Sequence, residues 1–201
     1  MKNVSHKQLA HYLINRYLKH TPSRYKRAFI MGCLEPDKNP STYLKGSIRY
    51  QFLRGHNWSN TRRYIYKIAH RLENKPALKI VDYFLLGRMI HYLSDAFTYA
   101  HNATFGVDLQ MHRAYEWELM YALNAYLQTH GIPDFIMNES LSALIHQMHS
   151  NYLRETKCLQ SDVYYIVHVC CIVMSCLFDT VNFDYLMTGY DKIFLAKHRR
   201  I

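Results

Sequence analysis

Apolar positions recur with the helical period along most of this 201-residue chain. Leu9, Leu13 and Tyr17 follow Ser5 and Gln8, whose spacing fits a capping box, and predict a first helix from about His6 to His20. Thr21-Pro22 puts a capping residue before a proline at the first helical position and opens a second helix through Phe29. The stretch from Gly32 to Gly55 breaks the pattern. It carries Glu35-Pro36-Asp37-Lys38-Asn39-Pro40 and ends in Arg54-Gly55, so its first part reads as a loop. Helices are then predicted from about Ser59 to Glu73, Ala77 to Ala100, Leu109 to Thr129, Asn138 to Glu155 and Gln160 to Val181. Pro76, Gly106, and Gly131 with Pro133 separate them. No repeat, low-complexity tract or linker interrupts the series. One all-α domain over residues 1–201, a bundle of about six to eight helices, is the expectation.

Composition narrows this further. Seven Gly and five Pro are too few for a sandwich, a propeller or a disordered tail. The longest uncharged apolar stretch, Val163 to Phe178, contains His168 and falls short of the ~20 residues of a comfortable bilayer span, so it reads as the most buried helix. Met-Lys-Asn-Val-Ser-His-Lys at the start has neither an apolar run nor a small-residue cleavage site and is not read as a signal peptide. Four of the five cysteines (Cys158, Cys170, Cys171 and Cys176, but not Cys33) crowd one C-terminal stretch without C-x-x-C spacing. They read as reduced packing residues, which predicts a cytoplasmic setting and disfavours thiol redox chemistry.

The net charge of +10 is uneven. Residues 1–75 hold 16 Lys/Arg against 3 Asp/Glu, whereas residues 76–201 hold 9 against 12. A basic half suggests an anionic partner: phosphate esters, nucleic acid or an anionic lipid surface. A soluble basic surface with no dedicated partner explains it equally well.

Candidate chemistry lies in the histidines. His91 and Asp95 stand four apart in an apolar helical segment and, at ~100° per residue, project from one face. His112 and Glu116 repeat that spacing on the next helix. Each pair offers an imidazole nitrogen and a carboxylate oxygen to a common cation, a ligand set that suits zinc. His101, ten residues past His91, falls ~80° off that face of an ideal helix and would serve a neighbouring metal. No proline in Phe97–His101 bends that helix. Further candidates are Asp37 after Pro36, His56 after Gly55, and His6 at the start of the first helix. Asp37 could equally cap its own turn, and His56 could cap the helix at Ser59. His146 and His149 form H-x-x-H on one helix and read as a solvated face rather than a metal pair. Tyr92, Phe97 and Tyr99 read as core or cleft wall.

Taken together, His6, Pro36-Asp37, Gly55-His56-Asn57, His91-Tyr92-Leu93-Ser94-Asp95, His101-Asn102 and His112-x-x-x-Glu116 resemble the zinc-dependent phospholipase C family, which is related to the S1/P1-type nucleases. The likeness spans roughly residues 6–116. It implies an all-helical fold holding two zinc ions, with a third as a further expectation. By analogy Asp37, His56, His91 and Asp95 hold one ion, His101, His112 and Glu116 a second, and His6 with a bridging Asp95 the third. Secreted members complete that third site with the amino group and carbonyl of an N-terminal Trp, whereas this chain starts Met1-Lys2. The chemistry implied is phosphodiester hydrolysis with a metal-bound hydroxide as nucleophile, and Asp37 orients or deprotonates the attacking water. A phospholipid at an anionic membrane surface is one such substrate. Glu116 as the last ligand favours this reading over the nuclease pattern, which usually ends in Asp. Two alternatives stay open: a nuclease or nucleotidase on the same scaffold, which the basic half would suit, and a non-catalytic helical binding protein braced by zinc.

Overall fold

Two glycines bring the two central helices into backbone contact. In the computed structural model, which describes residues 1–39, 41, 56–102, 109–129, 139–155 and 158–178, α2 (Ser23–Lys38) crosses α4 (Ile80–Ala96) at Gly32 and Gly87. A Cβ on Gly32 would lie 2.1 Å from the Phe84 carbonyl oxygen, and one on Gly87 would lie 2.2 Å from that of Phe29. Only glycine permits this approach, because any side chain would meet backbone that cannot swing aside.

Around this pair run α1 (Asn3–Tyr17), α3 (Trp58–Glu73), α5 (Leu109–Thr129), α6 (Leu141–Arg154) and α7 (Leu159–Phe178). The described residues contain no strand, and the fold is all-α. α4 is the hub: it packs against α1, α2, α3 and α7. Its residues Met89 to Ala96, with Phe97 and Thr98 beyond, are all buried. The sequence assigns that place to Val163–Phe178, but α7 leaves Tyr164 exposed, and Cys176 to Phe178 are half-buried. By length and composition α7 could cross a membrane, yet 67% of its most apolar window is buried against the other helices.

Several boundaries differ from expectation, among them the start of α4 at Ile80 rather than Ala77 and the end of α1 at Tyr17 rather than His20. The stretch Glu35–Lys38 is not a loop but the last turn of α2. Pro36 forgoes only its own bond to the Gly32 carbonyl, and the Asn39 N–H closes the turn on the Glu35 carbonyl at 3.0 Å. The helix expected to end at Ala100 stops at Ala96. The Thr98 hydroxyl donates to the Asp95 carbonyl (2.7 Å), and the Asn102 amide donates to the Ala96 and Thr98 carbonyls (2.9 and 2.8 Å). These side chains satisfy the terminal carbonyls of α4 and turn the chain into a 3-10 turn at Tyr99–His101. α1 begins at Asn3, so Ser5 lies inside its buried face and forms no capping box. Pro22, not Thr21, stands at the N-cap of α2. Gly55, Gly106, Gly131 and Pro133, and residues 179–181 of the last expected helix, lie outside the described residues.

Candidate metal centre

The α2–α4 crossing sets the last turn of α2 against the C-terminal half of α4. Asp37 thereby faces His91, with its Oδ1 3.6 Å from His91 Nε2 and 3.7 Å from His56 Nδ1. His56 precedes α3, whose N-cap is Asn57, so the ring is not a helix cap and turns inward. Its Nδ1 lies 3.2 Å from Asp95 Oδ2, and His91 Nε2 lies 3.3 Å from the same oxygen. The other oxygen of Asp95 faces α1: His6 Nε2 is 3.4 Å from Oδ1. Asp95 thus divides its two oxygens between two neighbourhoods, as a bridging carboxylate does. Two triads, His6–His91–Asp95 and Asp37–His56–His91, bring their donor atoms within 4.8 Å of one another. We call these five residues the inner set.

The tautomers are held from behind. The Cys33 carbonyl accepts from His91 Nδ1 at 2.8 Å. Ser94 donates its hydroxyl to the His91 carbonyl (2.8 Å), so its oxygen accepts from His6 Nδ1 at 3.1 Å. With Nδ1 of each ring engaged in this way, Nε2 is the nitrogen aimed inward, the usual arrangement behind a metal-ligating histidine. His6 Nε2 is buried without a hydrogen-bond partner, although it faces two carboxylates. Such an orphaned acceptor suits a cation. Burial, followed by the nearby His91, lowers the His6 pKa to about 3, which keeps the ring neutral and ligand-competent. Burial and then the Asp95 charge raise the Asp37 pKa. Burial also opposes the Asp95 carboxylate, but the Met1 ammonium and the surrounding histidines outweigh it and hold that group well below the usual range.

The outer set is His101, His112 and Glu116. The break at Phe97 re-aims His101, and the ~80° offset of an unbroken helix does not apply. The two imidazole rings lie 5.6 Å apart, and His112 Nε2 is 3.3 Å from Glu116 Oε1. These three donors are not among the described groups that converge within 4.8 Å. His101 Nδ1 bonds the Thr98 hydroxyl oxygen at 2.7 Å, whose proton is committed to Asp95, so Nε2 carries the lone pair. Burial lowers the His101 pKa to about 3. Glu116 sits at about 2: burial works against its charge, but the His112 bond and the Met1 ammonium prevail.

The α-amino group of Met1 joins the two sets, donating to Asp95 Oδ1 at 2.7 Å and lying 3.5 Å from Glu116 Oε1. Three other partners had no signal in the sequence. Ser94 and Thr98 act only through the local geometry of the α4 terminus, and the Cys33 carbonyl acts only through the helix crossing. His149, expected on a solvated face, is buried. It stacks on Trp58 with 3.9 Å between centroids and bonds the Asn102 side-chain oxygen at 3.2 Å. His146, its supposed partner, contacts Tyr66 at the surface instead.

The sequence profile of a family described as zinc dependent phospholipase C matches residues 5–159, a span that includes every member of both sets. No curated protein and no solved structure matches the chain.

Proposed function

The chain belongs to the zinc-dependent phospholipase C family, and from that premise we propose that it hydrolyses a phosphodiester at the inner set, with a phospholipid at an anionic membrane surface as the preferred class of substrate. The observation that carries this reading is the convergence of His6, Asp37, His56, His91 and Asp95. Three imidazoles and two carboxylates face one another in a buried space, and although the Met1 ammonium already pairs with Asp95, His6 Nε2 stays without a hydrogen-bond partner among them. In the proposed arrangement Asp37, His56 and His91 hold one zinc, Asp95 bridges toward His6, and His101, His112 and Glu116 supply a second position. Zinc bound there supplies a Lewis acid for the phosphoryl oxygens and a water of lowered pKa.

The residues themselves do the rest. Asp95 keeps its charge and ties the two neighbourhoods. Asp37, at the rim of the cluster and raised in pKa by burial and by Asp95, takes the proton of the attacking water on a carboxylate oxygen. Cys33 and Ser94 hold the rings of His91 and His6 so that neither turns away.

Hydrolysis of phospholipid and of soluble phosphodiesters by the purified chain tests this. Chelation should abolish turnover, and added zinc should restore it. Asp37→Asn keeps the size and one oxygen but cannot take the proton, so turnover should fall by about 10²–10⁴ while zinc content falls less. If rate and zinc content fall together, Asp37 is chiefly a ligand. Zinc occupancy with no hydrolysis of lipid, nucleotide or nucleic-acid diesters would point to the zinc-braced binding protein. Cleavage confined to nucleic acid or nucleotides would point to the nuclease.

A further inference from the structure

Asp162 lies on α7, just beyond the span that matches the family profile, and it is fully buried. Its Oδ2 accepts the Tyr99 backbone N–H at 2.9 Å and also the Tyr115 hydroxyl. Its Oδ1 accepts the Tyr152 hydroxyl of α6 at 2.7 Å. Tyr99 opens the 3-10 turn that carries His101. Tyr115 lies on α5 between His112 and Glu116. A single carboxylate oxygen therefore grips both backbone segments that bear the outer set.

This grip has a physical reason. α4 ends at Ala96, so nothing in a helix sets the distance from His101 to α5. The outer donors do not converge as tightly as the inner ones, and their meeting on a cation depends on holding two separate segments still. A buried carboxylate is costly unless several donors satisfy it, and the donors here include a backbone N–H and two tyrosines. Burial, and then the Asp162 charge, push both tyrosine pKa values far up, so both hydroxyls remain donors across the working pH range.

We propose that Asp162 is the positioning residue of the outer metal position, acting through the Tyr99 N–H and the Tyr115 hydroxyl, while its bond to Tyr152 serves the fold. The proposal rests on the metal reading given above and extends it to a residue outside the matched span. Asp162→Asn replaces one acceptor oxygen by a donor and cannot satisfy all three groups as the carboxylate does. Tyr115→Phe removes only the α5 tie, and Tyr152→Phe removes only the α6 tie.

Titration of each metal-free chain with cobalt(II), read by the visible absorption of the bound ion, tests this alongside thermal melting. The wild-type chain should bind at least two equivalents. Asp162→Asn and Tyr115→Phe should weaken the weaker equivalent about tenfold or more and leave the tighter one unchanged. Tyr152→Phe should lower the melting temperature and keep both equivalents. The positioning role is overturned if Asp162→Asn and Tyr115→Phe bind both equivalents as the wild type does. It is also overturned if Tyr152→Phe weakens the second as much as Tyr115→Phe, because the carboxylate would then be a general brace. Should Asp162→Asn fail to fold, Tyr115→Phe against Tyr152→Phe decides. If the wild type binds fewer than two equivalents, the two-position reading itself fails and takes this proposal with it.

Discussion

The inner and outer sets of candidate ligands are assembled by different means. Four members of the inner one stand on regular helices, with only His56 coming from the turn before α3: α4 supplies His91 and Asp95 one turn apart, α2 supplies Asp37, and α1 supplies His6. Their spacing follows from helix geometry and from one glycine crossing. The outer one stands on a broken helix end and on α5, with Thr98 fixing the His101 ring and a distant carboxylate on α7 tying the two segments. A set built on helix packing inherits the rigidity of the core. One built on a turn needs dedicated polar partners for each ligand, and these can be removed singly. The inner set should therefore fail only with the fold, and the outer set before it.

The largest effect is expected at the crossing. Gly87→Val puts side-chain atoms onto the backbone of α2, where even a Cβ would lie 2.2 Å from the Phe29 oxygen. We expect a loss of about 3 kcal/mol or more in urea unfolding, with tight metal binding lost in parallel. Retention of the inner equivalent at lowered stability would contradict the dependence of Asp37 and His91 on that contact.

Thr98→Val is the complementary substitution. It preserves shape in a fully buried position but removes the acceptor for His101 Nδ1 and the donor to the Asp95 carbonyl. Stability should fall by about 1–3 kcal/mol, and the weaker metal equivalent should weaken by about 10–100-fold with the tighter one intact. An unchanged second equivalent in calorimetry would show that His101 holds its orientation without Thr98.

The smallest effect serves as the control at the other end of α4. Asp82, buried there, accepts the Lys79 N–H (3.0 Å) and pairs with Lys75 and Arg71. Burial opposes its charge, but those donors prevail and lower its pKa below the ordinary 3.8. A depressed folded pKa stabilises above the unfolded value, and that contribution is lost as the pH falls below about 4 through the folded one. Asp82→Asn should therefore cost about 1 kcal/mol near neutrality, flatten the acid limb of the stability curve and leave metal binding untouched. A shift in either metal equivalent would mean that general destabilisation, not local geometry, governs both sets.

The same contrast explains what could be read from the sequence. His91/Asp95 and His112/Glu116 were legible because a four-residue spacing on a helix dictates a shared face. The all-α class was legible because the apolar period persists. Asp37 was legible as a candidate but not in its setting: Pro36 suggests a loop, and only the tertiary closeness of Gly32 to α4 shows why a helix carries it inward. The end of α4 was misread because its carbonyls are satisfied by Thr98 and Asn102, side chains with no breaker signature. Asp162 was invisible because Tyr99 and Tyr115, the partners that matter to the outer set, are 63 and 47 residues away and join it only in space. His149 misled for the related reason that burial of a polar ring depends on a stacking partner, Trp58, from another helix.

The proposed metal centre is the inner set, built on the α2–α4 crossing. Crystals of the zinc-loaded chain, with anomalous diffraction recorded on either side of the zinc edge, test it most directly. A peak within about 2.0–2.2 Å of His91 Nε2, His56 Nδ1 and an Asp37 oxygen is the expected result. An anomalous map with no zinc at those three residues, in protein that has taken up zinc elsewhere or not at all, would contradict it.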